Sequence, residues 1–319
     1  MKENEFTSWL IGAETPSIRY ATLRDLLNLS ESNRRVIAAR RDILRQGPAP
    51  AILSRQTAAG NWKNERSYYT PKYFSTHWRM LLLEELRADG SDPRYRQGMR
   101  FMLETTAEEL DRRLQENNFG SSCFWGNLLR YSLRAERAGE PKVENLVRLL
   151  VGSIQSENCR CTHNYGKPCA WGVVRSLYGL AAIPAPRRSR EVRSAIAHGI
   201  DFLTEDGRLL RAGYPTPGNR PPNPLWFKLN FPLFYQADLL FTLRVLGELD
   251  ALHRPGVQPA LDWLEGLRGR NGRWRGRSPF RQRTWKQLGG REETERWISL
   301  QSATILRRAG RPAATGPAA

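Results

Sequence analysis

The chain has 319 residues, 40% of them apolar, which is enough to build a sizeable core, and 50 Lys and Arg against 32 Asp and Glu leave a formal charge of +18. No apolar run is long enough to span a bilayer, and the start MKENEFTSWL lacks the basic and apolar stretches of a secretory leader, so the expected location is the cytoplasm. In that reducing compartment clustered cysteines favour metal or catalytic use over disulfides, while the basic surface suits nucleic acid, a diphosphate-bearing metabolite or an anionic membrane surface.

Hydrophobic periodicity predicts helices along nearly the whole chain and no alternating strand. In order they are SIRYATLRDLLNL, STHWRMLLLEELRA, PRYRQGMRFMLETT, CFWGNLLRYSLRAE, KVENLVRLLVGSIQ, CAWGVVRSLYGLAAI, SREVRSAIAHGIDFL, YQADLLFTLRVLGEL, VQPALDWLEGLRG and ERWISLQSATILRRA. Two kinds alternate. One is amphipathic and covers a core; the other is apolar nearly all round, opens on an aromatic residue and is expected inside. Pairs of the two kinds recur at roughly 45 to 65 residues, the spacing of a repeat architecture.

The ends of the outer helices align. Gln56-Thr-Ala-Ala-Gly60-Asn-Trp62 closes one, and Arg268-Gly-Arg-Asn271-Gly272-Arg-Trp274 closes the last with the same Gly-x-Trp. In the middle unit Cys159 and Cys161 stand where the glycine and tryptophan would be. Trp78, Trp125, Trp171 and Trp297 fall near the starts of inner helices, and Asp238 occupies that place in the remaining unit.

The Q-x3-G-x-W pattern, followed by a loop and an aromatic-led helix, resembles the QW-type repeat of the terpenoid cyclase and protein prenyltransferase superfamily. The resemblance spans about Trp9 to Ala309, with QTAAGNW its one full match. It implies an all-α fold, an α/α toroid whose inner helices line a central cavity, as a single domain over residues 1–309 with a disordered tail at 310–319. The Asp-x-Asp-Asp acid of class II cyclases is absent, which argues against squalene cyclisation, and the prenyltransferase zinc set of Asp, Cys and His has no match.

In such a toroid every outer-to-inner loop lies at one rim. Cys123, Cys159, Cys161 and Cys169 would then converge from three segments, a set suited to a structural zinc ion, with His163 able to replace one thiol. Helix N-termini favour the thiolate form of Cys123 and Cys169. Burial as small apolar side chains and a redox pair are the other readings.

The four tryptophans either fill space between helices or line a cavity for an apolar or isoprenoid ligand. Asp238, in an apolar setting, is a candidate general acid or the partner of Arg175 or Arg244. His77 is a candidate base, a metal ligand or a satisfied rim residue. Basic and aromatic residues interleave in three inserts, and Arg275, Arg277, Arg281 and Arg283 in the last are expected to meet an anionic head group. The leading functional expectation is a prenyltransferase-like or cyclase-like protein binding an apolar ligand with an anionic head; the rival is a nucleic-acid-binding or interaction protein that keeps the toroid as scaffold.

Overall fold

The computed structural model describes residues 5–135, 139–221, 223–280 and 289–312, and these are helices joined by loops. The helices are α1 (Glu5–Ile11), α2 (Pro16–Ala21, continued by a π-turn over Thr22–Leu26), α3 (Arg34–Ile43), α4 (Pro48–Leu53), α5 (Thr76–Glu85), α6 (Pro93–Thr105), α7 (Ala107–Gln115) and α8 (Ser122–Arg134). They continue as α9 (Pro141–Glu157), α10 (Ala170–Ala181), α11 (Arg190–Thr204), α12 (Arg208–Arg211), α13 (Leu239–Glu248), α14 (Gln258–Gly266) and α15 (Arg291–Arg308). Among the described residues the only extended pairings are the isolated bridges Cys161–Lys167 and Asn230–Arg277, so the chain is all-α. No described helix is long and apolar enough to cross a membrane.

The two kinds of helix are both present. In α6 the buried residues Tyr95, Gly98, Met99, Met102 and Leu103 form one stripe at helical spacing. In α5 every residue from Thr76 to Glu85 is buried, and in α10 everything from Gly172 to Leu180. Local chemistry sets the starts: Asn33, Asp92 and Ser189 accept from backbone N–H groups at the heads of α3, α6 and α11, and proline opens α6 and α9.

The buried helices pack in sequence order, α5 on α8, α8 on α10, α10 on α13, α13 on α15, and α15 on α2 and its π-turn. The amphipathic ones lie against them, α3 on α2, α6 on α5, α9 on α8, α11 on α10 and α14 on α13. One apolar core runs from Phe6 to Leu306, and a small cluster of Leu23, Val36 and Ala39 sits under α3. The closest contact joins α8 to α10: a Cβ on Gly126 would lie 2.2 Å from the Arg175 carbonyl oxygen, and one on Gly179 would lie 2.5 Å from that of Gly126. Of the expected tail, 313–319 lies outside the described residues, and Arg311 pairs with Asp262 at 2.6 Å and Glu265 at 3.4 Å.

The QW-type motif has a clear physical role. Gln56 Nε2 donates to the carbonyls of Gly60 and Arg94, both at 2.9 Å, which fastens the loop to the head of α6. Trp62 Nε1 donates to the Ile52 carbonyl at 2.8 Å, and Trp274 Nε1 to the Leu264 carbonyl at 2.7 Å, each ten residues back. Gly60 and Gly272 hold φ of +88° and +75°, and Cys159 holds +56° in the same place. Cys159 therefore takes the backbone role of the glycine, as the alignment expects.

The inner-helix register differs from the alignment. Trp62 N–H donates to Thr76 Oγ1 at 3.1 Å and Trp274 N–H to Ser299 Oγ at 2.9 Å, so Thr76 and Ser299 are equivalent. Trp78 follows this point by two residues whereas Trp297 precedes it by two. The four tryptophans do not share one position.

Candidate functional site

A cavity of about 790 Å³ lies at the N-terminal ends of α8 and α10, where the loops into those helices meet the 212–238 segment. Its wall is rich in aromatic rings, Tyr69, Phe124, Trp125, Trp171, Tyr214, Trp226 and Tyr235 among them, and also carries Lys72, Glu109 and Arg113. Cys123, Cys161, Cys169 and His163 line the same cavity. Asn164 Nδ2 donates to the Pro168 and Pro215 carbonyls at 2.7 and 2.9 Å and so ties the cysteine loop to the 212–238 segment.

The backbone explains how the thiols come together. After α9, Asn158 and Cys159 both turn left-handed, and Cys159 N–H closes back on the Ser153 carbonyl at 2.8 Å. A tight turn, Thr162–Asn164, follows, closed by the Cys161–Lys167 bridge. Cys169 then caps α10, its N–H on the Asn158 carbonyl at 3.1 Å. Cys161 and Cys169 are thereby brought into thiol contact, with Cys123 close by on α8.

Their protonation differs. A hydrogen bond from the Cys169 thiol, with backbone N–H groups of His163 and Asn164, holds Cys161 down to about 6 against the opposing effect of burial. Cys169 is pushed up by the same bond and by desolvation, and burial raises Cys123 to about 11. Of the three, Cys161 is the one held below the ordinary thiol range.

Cys159 adjoins the group from the core side: a Cβ on Gly172 would lie 2.8 Å from its Cβ and 3.6 Å from that of Cys169. It is 1% exposed, and its Sγ lies 3.5 Å from Ser176 Oγ, in surroundings that also include Ser122 and Ser153. The expected four-thiol set is thus split, one cysteine in the core and three on the cavity. Among the described residues no group of three or more His, Cys, Asp or Glu is disposed to hold a metal ion.

Toward the loops that lead into α8, α10 and α13 the space among the buried helices is filled, while at their other ends a cavity of about 270 Å³ is lined from α2, α5, α8, α10, α13 and α15. Phe231, Leu233 and Phe234 are buried, Phe234 O accepts from Asn127 Nδ2 at 3.0 Å, and Gln236 O accepts from Arg175. Trp125 and Trp171 line the aromatic cavity; Trp78 is fully buried, its indole N–H on the Tyr69 carbonyl at 2.8 Å. Trp297 stacks on Phe231 at 4.5 Å and lines a different cavity.

Asp238 is fully buried outside the wall of the aromatic cavity and, among the described residues, makes no ion pair. Its Oδ1 accepts the Phe241 N–H at 2.7 Å to cap α13, and its Oδ2 accepts both Asn230 N at 3.0 Å and Asn230 Nδ2 at 2.9 Å. Burial pushes its pKa up to about 7, against the lowering effect of those donors. Of the two partners expected for it, Arg244 is bound to Glu85 at 2.7 Å, and Arg175 donates to the Gln236 carbonyl while its charge lowers the Asp238 pKa.

His77 lies behind the wall, its ring 4.6 Å from that of Phe124 and its Nδ1 3.2 Å from Tyr131 Oη. Desolvation lowers it to about 3, which leaves the imidazole neutral. Arg275 and Arg277 are exposed and outside the wall of the aromatic cavity, and Arg281 and Arg283 lie outside the described residues. Among the described residues, Lys72 on that wall carries no ion pair, and its Nζ donates to Tyr235 Oη at 3.0 Å.

Sequence reasoning places Trp226 among the basic and aromatic residues of an insert and misses its buried, structural role. Its Nε1 donates to the Leu209 carbonyl at 2.9 Å, the same indole-to-helix bond that Trp62 and Trp274 make. No family model matches the chain, and no curated protein and no solved structure is found that is similar to it.

Proposed function

We propose that the protein is an α/α toroid that binds an apolar, isoprenoid-like small molecule in the cavity beside Cys161. The packing order of the helices supports the toroid: the buried helices succeed one another from α5 to α15, α15 meets α2, and the amphipathic helices flank them. The observation that carries the function is the cavity of about 790 Å³ with its aromatic wall, a size and lining suited to a small apolar ligand. Lys72 supplies a cation for an anionic head group, and Cys161 sets a thiolate against the bound molecule.

The test is a tryptophan-fluorescence titration with prenyl diphosphates of increasing tail length. Affinity should rise with each added isoprene unit, and Trp171→Ala should weaken it about tenfold. Equal affinity for long and short tails would overturn the reading. Tight binding of single-stranded nucleic acid with a steep salt dependence would put the scaffold reading in its place.

The thiols support a second use. Cys123, Cys161, Cys169 and His163 share one wall, and a zinc ion among them is what their chemistry suits. These side chains must close in for that, since no described group is disposed for a metal ion now. Purified protein holding about one zinc per chain, lost in Cys161→Ser, would carry this use, and metal-free protein would end it.

A further inference from the structure

A second cavity, of about 270 Å³, lies at the other end of the buried helices, walled by the last turns of α5, α8 and α13 and by α15. It adjoins a wider space of about 550 Å³ that shares Glu84, Arg130, Arg134, Glu248 and Arg308 with it. Helix C-termini favour cations, and arginines gather here.

The carboxylates of this cavity are already answered. Glu84 accepts Arg130 Nε at 2.9 Å and pairs with Arg134. Glu85 accepts Arg244 Nη1 and Nη2 at 2.7 and 2.8 Å, Glu248 accepts Arg130 Nη1 at 2.6 Å, and Asp25 pairs with Arg87. Four carboxylates thus meet four guanidiniums. Arg308 is a fifth, exposed, and carries no ion pair among the described residues.

The donors are not answered. Trp297 Nε1, Gln301 Nε2, Thr304 Oγ1 and Arg244 Nε are buried without a hydrogen-bond partner, and all four residues line this one cavity. Trp297 is 4% exposed, and Arg244 Nε comes no nearer to Glu248 than 4.0 Å. An indole N–H and a guanidinium N–H can only donate, so rotating the side chain does not turn them into acceptors. Donors buried without an acceptor are costly, and four on one cavity describe the complement of an acceptor-rich guest.

We infer that this cavity binds a small oxyanion, a phosphate or a compact carboxylate, held by Trp297, Gln301, Thr304 and Arg244 and drawn in by Arg308. The site stands apart from the aromatic cavity and does not depend on what that cavity binds.

The experiment is thermal melting and calorimetry of the whole chain with inorganic phosphate and with succinate, sodium chloride holding ionic strength constant. Saturable stabilisation by phosphate identifies a phosphoryl site, and by succinate a carboxylate site; either supports the proposal. Trp297→Phe keeps the ring that stacks on Phe231 and deletes the donor, and it should weaken binding about tenfold. Arg308→Gln, on an exposed residue, should weaken it several-fold and remains informative if Trp297→Phe does not fold. Stabilisation by neither anion at constant ionic strength would overturn the proposal, as would a folded Trp297→Phe that binds as tightly as its parent.

Discussion

Arg175 donates through Nε at 3.0 Å and Nη2 at 2.5 Å to a single oxygen, the carbonyl of Gln236. The guanidinium is fully buried, lies 3.8 Å from the centre of the Phe241 ring, and reaches Asn127 Oδ1 at 3.4 Å. Desolvation lowers its pKa to about 10, so it remains charged at neutral pH. A charge in the core is thus bound by backbone, ring and amide, and it pins the 229–237 segment between α8 and α13. Arg175→Met keeps the length and strands the Gln236 carbonyl, and should cost about 2–4 kcal/mol in urea unfolding. A loss under about 0.5 kcal/mol would mean that the segment is held by its phenylalanines alone.

The three indole-to-carbonyl bonds of Trp62, Trp226 and Trp274 predict matching energetics. Each Trp→Phe variant removes one bond and part of a buried ring, for an expected cost of about 2–3 kcal/mol. Thermal unfolding of the three side by side checks this. A much smaller cost at Trp226 would separate it from the other two.

Asp238 predicts a pH dependence whose sign follows from its raised pKa. In the unfolded chain it titrates near the ordinary 3.8 and in the folded one near 7, so folding takes up a proton between these values. Its titration therefore adds stability below about pH 4 that is lost as pH rises through about 7. Asp238→Asn removes the titration and one acceptor oxygen, and should be less stable than the parent by about 1–2 kcal/mol at pH 5. The gap should narrow by pH 8. A gap unchanged between pH 5 and pH 8 would mean that the three N–H donors keep the carboxylate ionised.

Cys161 predicts selective alkylation. With iodoacetamide at pH 7 it should react first among the four cysteines, because it is the thiolate and faces the cavity, and the rate should fall as pH drops through about 6. Peptide mapping after a short exposure reads the site. Faster labelling of Cys123 or Cys169 would reverse the assignment of the proton between the thiols.

The helix content was legible because long apolar-periodic stretches such as STHWRMLLLEELRA leave little choice of structure. RRVIAARRDI, which forms α3, escaped notice because half of its residues are charged and it buries only Val36, Ala39 and Ile43. The register of the inner helices was not legible for a physical reason: α15 buries Trp297, Ile298, Ser299 and Leu300 in succession, and a helix buried all round has no stripe from which to read its phase. The gathering of Cys123, Cys161 and Cys169 followed from the repeat, yet the deeper placement of Cys159 depends on two consecutive left-handed residues, of which only Asn158 is of a type that favours that conformation. Trp226 was hidden because its carbonyl partner lies seventeen residues back rather than ten.

The meeting of Gly126 with Gly179 has a mechanical consequence. Where two helices touch through side chains, rotamer changes let one slip past the other, but backbone against backbone leaves no such play. α8 and α10 therefore move as one spar, with Cys123 and Cys169 at one end and Arg130 and Tyr178 toward the other. A guest that wedges the aromatic end apart tilts the spar as a whole, and the arginine end swings with it.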